Sequence, residues 1–591
     1  MRVLRFLIAN FVKLAIISKT SEDNAMKKPL PIGVDNFEKI ITNGYYFVDK
    51  TWLIKELLDN KSEVNLFTRP RRFGKTLNLS MLRYFFEKSD RDNSHLFQGL
   101  KIMETGEKYT SQLGRYPVIS LSLKSAKQPS FEMAYNILLS NIEREFIRHS
   151  YLLTSERISP ANKQDLEALL NRKAPKEIYA TSLQLLSQCL YQHHGQKVII
   201  LIDEYDVPLE NAHFEDKEEN RGFYEKMISF IRSLFESALK TNDALEFAVI
   251  TGCLRITKES IFTGLNNLNV ISILADEYSE HFGFTQEEVS VMLTYYELMD
   301  KKDLVKKWYD GYMFGDSEVY NPWSVINFVS KLAVNENTLP APFWSNTSSN
   351  SIVKELVERA DSVVKQEIEE LIAGKTIEKP VREEITYEDV YQSQDNLWNF
   401  LFLTGYLKKV SGRLGSDNKR MITLAIPNIE VGLIYDNSIC QWFEQKIAQK
   451  DLSNLYRSLL EGDVETLTNE LNRNLQESIS FYDAAEMFYH GFLLGLLKNM
   501  AGYITRSNRE AGKGRSDILI YTPSVRGKAI ILELKVVKNF QELEAACDQA
   551  LSQVAEKSYE AELRQEGYSN IMKYGIAFFR KDCLVKLAKA C

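Results

Sequence analysis

Over the first half of the chain, five short apolar runs alternate with longer segments whose apolar residues recur every three or four positions. The runs are EVNLFT (63–68), PVISLSL (117–123), KVIILID (197–203), LEFAVIT (245–251) and NVISIL (269–274). They are too short for helices and too continuously apolar for strands with one wet face. Each predicts a strand buried on both sides. Between them, EMAYNILLSNIEREFIRH and KMISFIRSLFESAL carry the helical period. Strands alternating with helices predict a parallel α/β sheet. Ahead of the first run, YYFVDKTWLIKELL predicts a short strand entering a helix.

After about residue 280 the pattern turns largely helical. TQEEVSVMLTYYEL opens with a capping box, Thr285 followed by Glu288. WYDGYMFGDSEVYNPWSVINFVS (308–330) is rich in aromatics and turn residues and ends in a helix; its role is packing of a lid or subdomain. Residues 347–460 read as charged amphipathic helices with a hairpin near YLKKVSGRLGSDNKRMITL. From roughly 470 the order is helix, strand, strand, helix, strand, which predicts a separate small α/β domain.

A chain of 591 residues is too long for one core. With 44% hydrophobic and 26% charged residues the composition is that of a globular protein. The net charge of -7 gives no global field drawing the chain to nucleic acid, so such a role needs local patches. The six cysteines are scattered, without a CxxC pair, and read as reduced thiols of a cytoplasmic protein with no zinc site. At the N-terminus VLRFLIANFVKLAIIS is apolar but broken by Arg5 and Lys13, short for a membrane span. Met26 resembles a natural start. Residues 1–26 are therefore read as an upstream extension, with a signal or anchor segment as the alternative.

The first candidate chemistry is FTRPRRFGKTLNLS. A phosphate-binding loop holds anionic oxygens with backbone amides at a helix N-terminus. Its lysine reaches the β/γ-phosphates and its hydroxyl holds Mg²⁺. Gly74, Lys75 and Thr76 supply these parts between a strand and a helix. The glycine that normally opens the loop is replaced by Arg69. A second signal is VIILIDEYD: a buried strand ending in Asp203 and Glu204 puts one carboxylate beside the metal-bound hydroxyl and the next beside the attacking water. The strand FAVITG is expected between these two, bringing Thr251 and, four residues on, Arg255 toward the γ-phosphate. Turn capping by Thr251 and a surface pair for Arg255 is the equal alternative. Tyr205 and Asp206 fall in the same cleft without an assigned role. Arg69 and Arg72 are counted with the nucleotide-binding residues; whether the loop arginines face phosphates or a partner stays open.

The second candidate lies in GRSDILIYTPSVRGKAIILELKVVK. Asp517 starts one strand; Glu533 and Lys535 lie two apart on the next and share a face. A hairpin symmetric about Val525 sets Asp517 opposite Glu533, with Cβ atoms ~5 Å apart. Two carboxylates and a lysine so placed can share a divalent metal that polarises a phosphodiester. Charges interrupting an apolar strand are costly unless used. Glu486, on a helix upstream, can add a ligand. A surface ion pair between Glu533 and Lys535 on an edge strand is the bland alternative.

The blocks LPIGVDNFEKIITNGYYFVDKT, TRPRRFGKTLNLSML, LIDEYDVPL, TGCLRITKESIFTGLNNL and WYDGYMFGDSEVYNPWSV, in order from Leu30 to Val325, resemble the bacterial AAA-ATPase-like family. In that family the loop begins with arginine. The resemblance implies an additional-strand P-loop ATPase using ATP and Mg²⁺, with Gly74, Lys75, Thr76, Asp203 and Glu204 at its motif positions. Residues 481–580 resemble the PD-(D/E)XK nuclease superfamily through AAEMFYHGFLLGLL, SNREAGKGRSDILI, IILELKV, ALSQVAEKSY and KYGIAFF. This implies metal and catalytic roles for Glu486, Asp517, Glu533 and Lys535, a site-facing Gln553, and phosphate contacts from Arg515 and Asn508. His490 is read as a hydrogen-bonded helix residue. The GxP common before the acid is here Gly514-Arg515-Ser516.

The fold expected is thus α/β: an additional-strand P-loop domain (27–280), a helical lid or linker (281–465) and a restriction-endonuclease-like domain (466–591). The leading function is an ATPase that gates a metal-dependent nuclease in phage defence or mobile-element control. Its partner is nucleic acid, DNA by superfamily analogy alone, with no membrane and with a homo-oligomer left open. The alternative is a nucleotide-switched scaffold whose nuclease-like fold binds without cutting.

Overall fold

The computed structural model describes residues 27–216, 220–254, 261–262, 265–344, 353, 362–383, 385, 390, 393–415, 418–447, 451–478, 486–498, 500–507, 517–556 and 559–588. All five apolar runs form strands: β1 (Val64–Thr68), β2 (Val118–Ser122), β3 (Val198–Asp203), β4 (Leu245–Gly252) and β5 (Leu268–Ile271). They make one parallel sheet in the order β2-β3-β4-β1-β5. β4 thus separates β1 from β3, as expected of an additional-strand fold. β1 and β3 are buried at every position because helices cover both faces, which is why their sequences lack alternation.

β1 runs through a loop into helix α1 (Lys75–Phe86). The expected strand at Tyr45–Lys50 belongs to no sheet; the Tyr46 amide donates to the Pro29 carbonyl at 2.9 Å. The ring of Tyr46 packs instead on Tyr295 and Tyr296. Tyr295 closes and Tyr296 follows α2 (Gln286–Tyr295), which starts with the expected Thr285–Glu288 capping box. The aromatic block then forms a hairpin, β6 (Tyr312–Phe314) and β7 (Ser317–Val319), and α3 (Pro322–Val334), capped by Asn321.

The largely helical middle contains a small antiparallel sheet. In chain order come α4 (Ser362–Ile372), β8 (Ile377–Pro380), α5 (Gln394–Leu403), β9 (Lys408–Leu414) and β10 (Arg420–Ala425), with sheet order β8-β10-β9. α6 (Ile429–Ile447) follows and packs on α7 (Glu486–Leu497) of the C-terminal unit. That unit is a five-stranded mixed sheet: β11 (Ile504–Ser507), β12 (Ile518–Tyr521), β13 (Lys528–Val536), β14 (Asn570–Phe579) and β15 (Asp582–Leu587), paired in sequence order. α8 (Leu543–Glu556) crosses between the parallel strands β13 and β14. Gly575 makes that crossing tight: a Cβ there would lie 2.5 Å from the Cys547 carbonyl oxygen. Among the described residues no helix is long and apolar enough to span a membrane.

Candidate functional site

Strand order dictates the first site. The C-terminal ends of β1, β4 and β3 lie side by side and deliver the loop after Thr68, Thr251 and Asp203 to one edge. The loop closes onto α1 through two left-handed residues, Arg72 (φ 71) and Gly74 (φ 85), backbone geometry suited to a concave anion nest. Asp203 organises the edge. Its Oδ2 accepts from the Thr76 hydroxyl at 2.7 Å and its Oδ1 from the Thr251 hydroxyl at 2.6 Å. The Lys75 ammonium donates to the carbonyls of Arg69 and Pro70, 2.9 Å each. Glu204 follows in a left-handed conformation (φ 51). Burial, then the Asp203 charge, push its carboxyl above the ordinary range against the pull of Lys75, Lys124 and Arg71. Asp206 is buried beneath; it accepts from the Cys253 amide at 2.7 Å and the Leu254 amide at 3.1 Å. Burial raises its carboxyl to about 6.

The loop arginines have partners of their own in the fold. Arg69, expected at the nucleotide, is fully buried and turned inward. Its Nη1 donates to the carbonyls of Thr68 (3.0 Å) and Ile271 (2.8 Å). Its guanidinium lies 5.2 Å from the Phe282 ring centre and 5.0 Å from that of Phe314. Burial lowers its pKa to about 9. It is a strut tying β1 to β5 and the β6–β7 hairpin. Arg72 stacks 4.5 Å over Trp323 of α3. Arg71 pairs with Glu210, and its carbonyl accepts the Trp344 indole N–H at 3.3 Å. The backbone amide of Trp344 in turn donates to Glu430 at 2.7 Å. Arg255 lies outside the described residues.

A cavity opens beside Gly74, lined mostly by apolar groups from four segments, among them Leu30, Tyr46, Phe73, Met292 and Ile326.

The second site rests on the β12–β13 hairpin. Ile518 pairs with Leu532, so the register sets Asp517, one residue earlier, opposite Glu533. Asp517 Oδ2 accepts the Leu534 amide at 2.8 Å, which fixes the carboxylate against β13. Glu533 is 1% exposed on a central strand, not an edge, so the surface ion-pair alternative does not describe it. Lys535 Nζ donates to the Gln553 side-chain oxygen at 2.6 Å, placing α8 over the same face. His490 Nε2 meets the Asp517 carbonyl at 3.2 Å. Glu486 opens α7, but its side chain lies outside the described structure, as do Asn508, Arg515 and Gly514–Ser516. Among the described residues no three acids, histidines or cysteines converge. Asp517 and Glu533 are the described part of the expected ligand set.

Residues 31–262 match the family described as "Predicted AAA-ATPase", and residues 484–587 match the PD-(D/E)XK nuclease superfamily. The chain joins an AAA-ATPase-like domain to a PD-(D/E)XK superfamily domain. A protein of Azotobacter chroococcum mcd 1, named "Uncharacterized protein in vnfD 5'region", is 25% identical over 576 residues, covering 94% of this chain and 97% of its own length. The similarity therefore spans both matched domains and the region between them.

Asp206, placed in this cleft by the sequence without a role, holds the turn after β4 through its bonds to the Cys253 and Leu254 amides. Two groups behind the loop escaped sequence reasoning, Trp344 and Glu430: Trp344 reaches the Arg71 carbonyl and Glu430 holds Trp344, both from far along the chain and neither in a motif.

Proposed function

We propose that the AAA-ATPase-like domain binds and hydrolyses ATP and so controls a Mg²⁺-dependent DNA nuclease in the PD-(D/E)XK domain. The observation carrying this reading is continuity between the sites. The loop carbonyl of Arg71 is held by Trp344, Trp344 by Glu430 at the start of α6, and α6 packs on α7 of the nuclease-like domain. A change at the loop thus has a packed route to the second site.

The donor sets are oxygen-rich, as Mg²⁺ prefers: Thr76 with Asp203, and Asp517 with Glu533. Bound there, the ion would neutralise phosphate charge and acidify water. Lys75 exchanges its loop carbonyls for phosphate oxygens. Thr251 stays on Asp203, facing the γ-phosphate. Glu204, with its raised carboxyl pKa, takes the proton of the attacking water. The cavity beside Gly74 takes the base. In the second site Lys535, oriented by Gln553, steadies the phosphate or the nucleophilic water. Phage defence or mobile-element control is the setting this architecture suits.

ATPase and plasmid-nicking activity measured on one preparation, with Mg²⁺ or Mn²⁺ and with or without ATP, test the reading. Lys75→Ala should abolish nucleotide binding, and Lys535→Ala should abolish nicking while sparing it. The net charge of -7 favours a second reading, a nucleotide-switched scaffold. Hydrolysis without nicking under any metal would select it.

A further inference from the structure

We propose that Asn78 selects the base of the bound nucleotide, its side-chain oxygen accepting from the exocyclic amine of adenine. The inference rests on the reading that the cavity beside Gly74 holds the base. It adds which residue reads that base and which base is turned away.

The walls of the cavity carry few polar ends. Apart from Tyr46, whose ring packs on Tyr295 and Tyr296, the polar side chains are Lys50, Asn78 and His281. Lys50 is spent. Its ammonium donates to Glu288 Oε2 at 2.5 Å and to the Glu280 carbonyl at 2.6 Å, which ties Tyr45–Lys50 to the capping box of α2. His281 Nε2 meets Glu56 Oε2 at 2.7 Å.

Asn78 is only half used. Its Nδ2 donates to the His281 carbonyl at 2.9 Å. A carbonyl accepts from the nitrogen end alone, so this bond fixes which way the amide lies. The oxygen is left over: among the described residues no donor meets it. Yet the residue keeps only 6% of its surface. A buried acceptor without a donor is costly, and a ligand that supplies the donor recovers that cost.

The side chain is also in the right place along the helix. Asn78 lies in the first turn of α1, its amide donating to the Gly74 carbonyl at 3.0 Å. Phosphates on the loop bring the base to the wall that Leu77 and Asn78 share, while Phe73, Met292 and Ile326 offer apolar surface to its ring. Adenine presents an amine where guanine presents a carbonyl oxygen. Against Asn78 the amine pairs; the carbonyl leaves two oxygens facing each other. A site built on such a bond rejects the analogue lacking the donor.

Calorimetric titration of the full chain with ADP, GDP and purine riboside diphosphate, in Mg²⁺, tests this. Diphosphates avoid turnover, and the third ligand is ADP without its exocyclic amine. Wild type should bind ADP about tenfold or more tighter than either of the others. Asn78→Leu should bind ADP and the purine diphosphate equally, because the acceptor that separated them is gone. Asn78→Ala, which opens space where leucine fills it, should erase the same difference. Each comparison is made within one protein, so a general loss of stability does not imitate it. Loss of affinity for all three ligands alike, with the ADP preference intact, would make Asn78 only an anchor of α1 and overturn the proposal. So would wild type that binds ADP and the purine diphosphate equally, a result that leaves the base site standing. No binding of any diphosphate would overturn the base site and this inference with it.

Discussion

Glu430 offers a quantitative test of the joint behind the phosphate loop. Its side chain is fully buried, with Oε1 accepting the Trp344 amide and Oε2 the Ser324 hydroxyl, both at 2.7 Å. Those two bonds do not offset desolvation, and the carboxyl is pushed up from 4.5 to about 7. At about 1.4 kcal/mol per pH unit, this shift amounts to about 3 kcal/mol. The unfolded chain releases this proton near 4.5 while the folded chain keeps it to about 7. Between those values the folded state binds more protons, so stability falls as pH rises, and the whole cost is present above the window. Glu430→Gln removes the titration and keeps the shape. The amide oxygen accepts from Trp344, and the amide nitrogen donates to a rotated Ser324 hydroxyl. The variant should match wild type near pH 4 and melt higher near pH 8, by roughly 6–12 °C at about 2–4 °C per kcal/mol. Differential scanning calorimetry across pH reads this directly. A melting difference independent of pH, or a variant less stable at alkaline pH, would refute a carboxyl held neutral by burial.

Other expectations follow from the same geometry. Arg69→Ala should cost about 2–4 kcal/mol through lost packing and stranded carbonyls; loss of nucleotide affinity with an unchanged melting temperature would show that the guanidinium belongs to the ligand. Because the Glu204 carboxyl is raised, it protonates at higher pH than an ordinary glutamate, so the acid limb of ATP turnover should lie above the ordinary glutamate range and vanish with the residual rate in Glu204→Gln. An acid limb at the usual value would argue against Glu204 as the base. Gly575→Ala places a Cβ against the Cys547 carbonyl and should cost about 1–3 kcal/mol by overpacking; a melting temperature equal to wild type would show that α8 can lift freely.

The sequence disclosed what strong local patterns encode. Five strands were legible because burial on both faces demands unbroken apolar runs. The hairpin register was legible because a turn about Val525 leaves only one pairing that sets Asp517 against Glu533. Tyr45–Lys50 misled because its alternate aromatics cover α2 and the cavity beside Gly74, not a neighbouring strand. β8, β11 and β15 passed unseen: β8 has four residues ending in proline, and β11 and β15 are short edge strands. Arg69 was read as a ligand because charge beside a phosphate loop suggests one. Its real partners, Phe282 and Phe314, are more than two hundred residues away in sequence and adjacent only after folding.

The inward-facing Arg69 also bears on how this chain can be cut. A fragment ending at residue 280 retains every recognisable nucleotide motif, yet it discards both aromatic rings that sandwich the guanidinium. It also discards the tryptophans that hold Arg71 and Arg72. Such a fragment would carry an unhoused cation at the root of its phosphate loop. Measurements on an isolated N-terminal half would therefore describe a damaged loop, and a minimal nucleotide-binding piece must extend at least through Trp344.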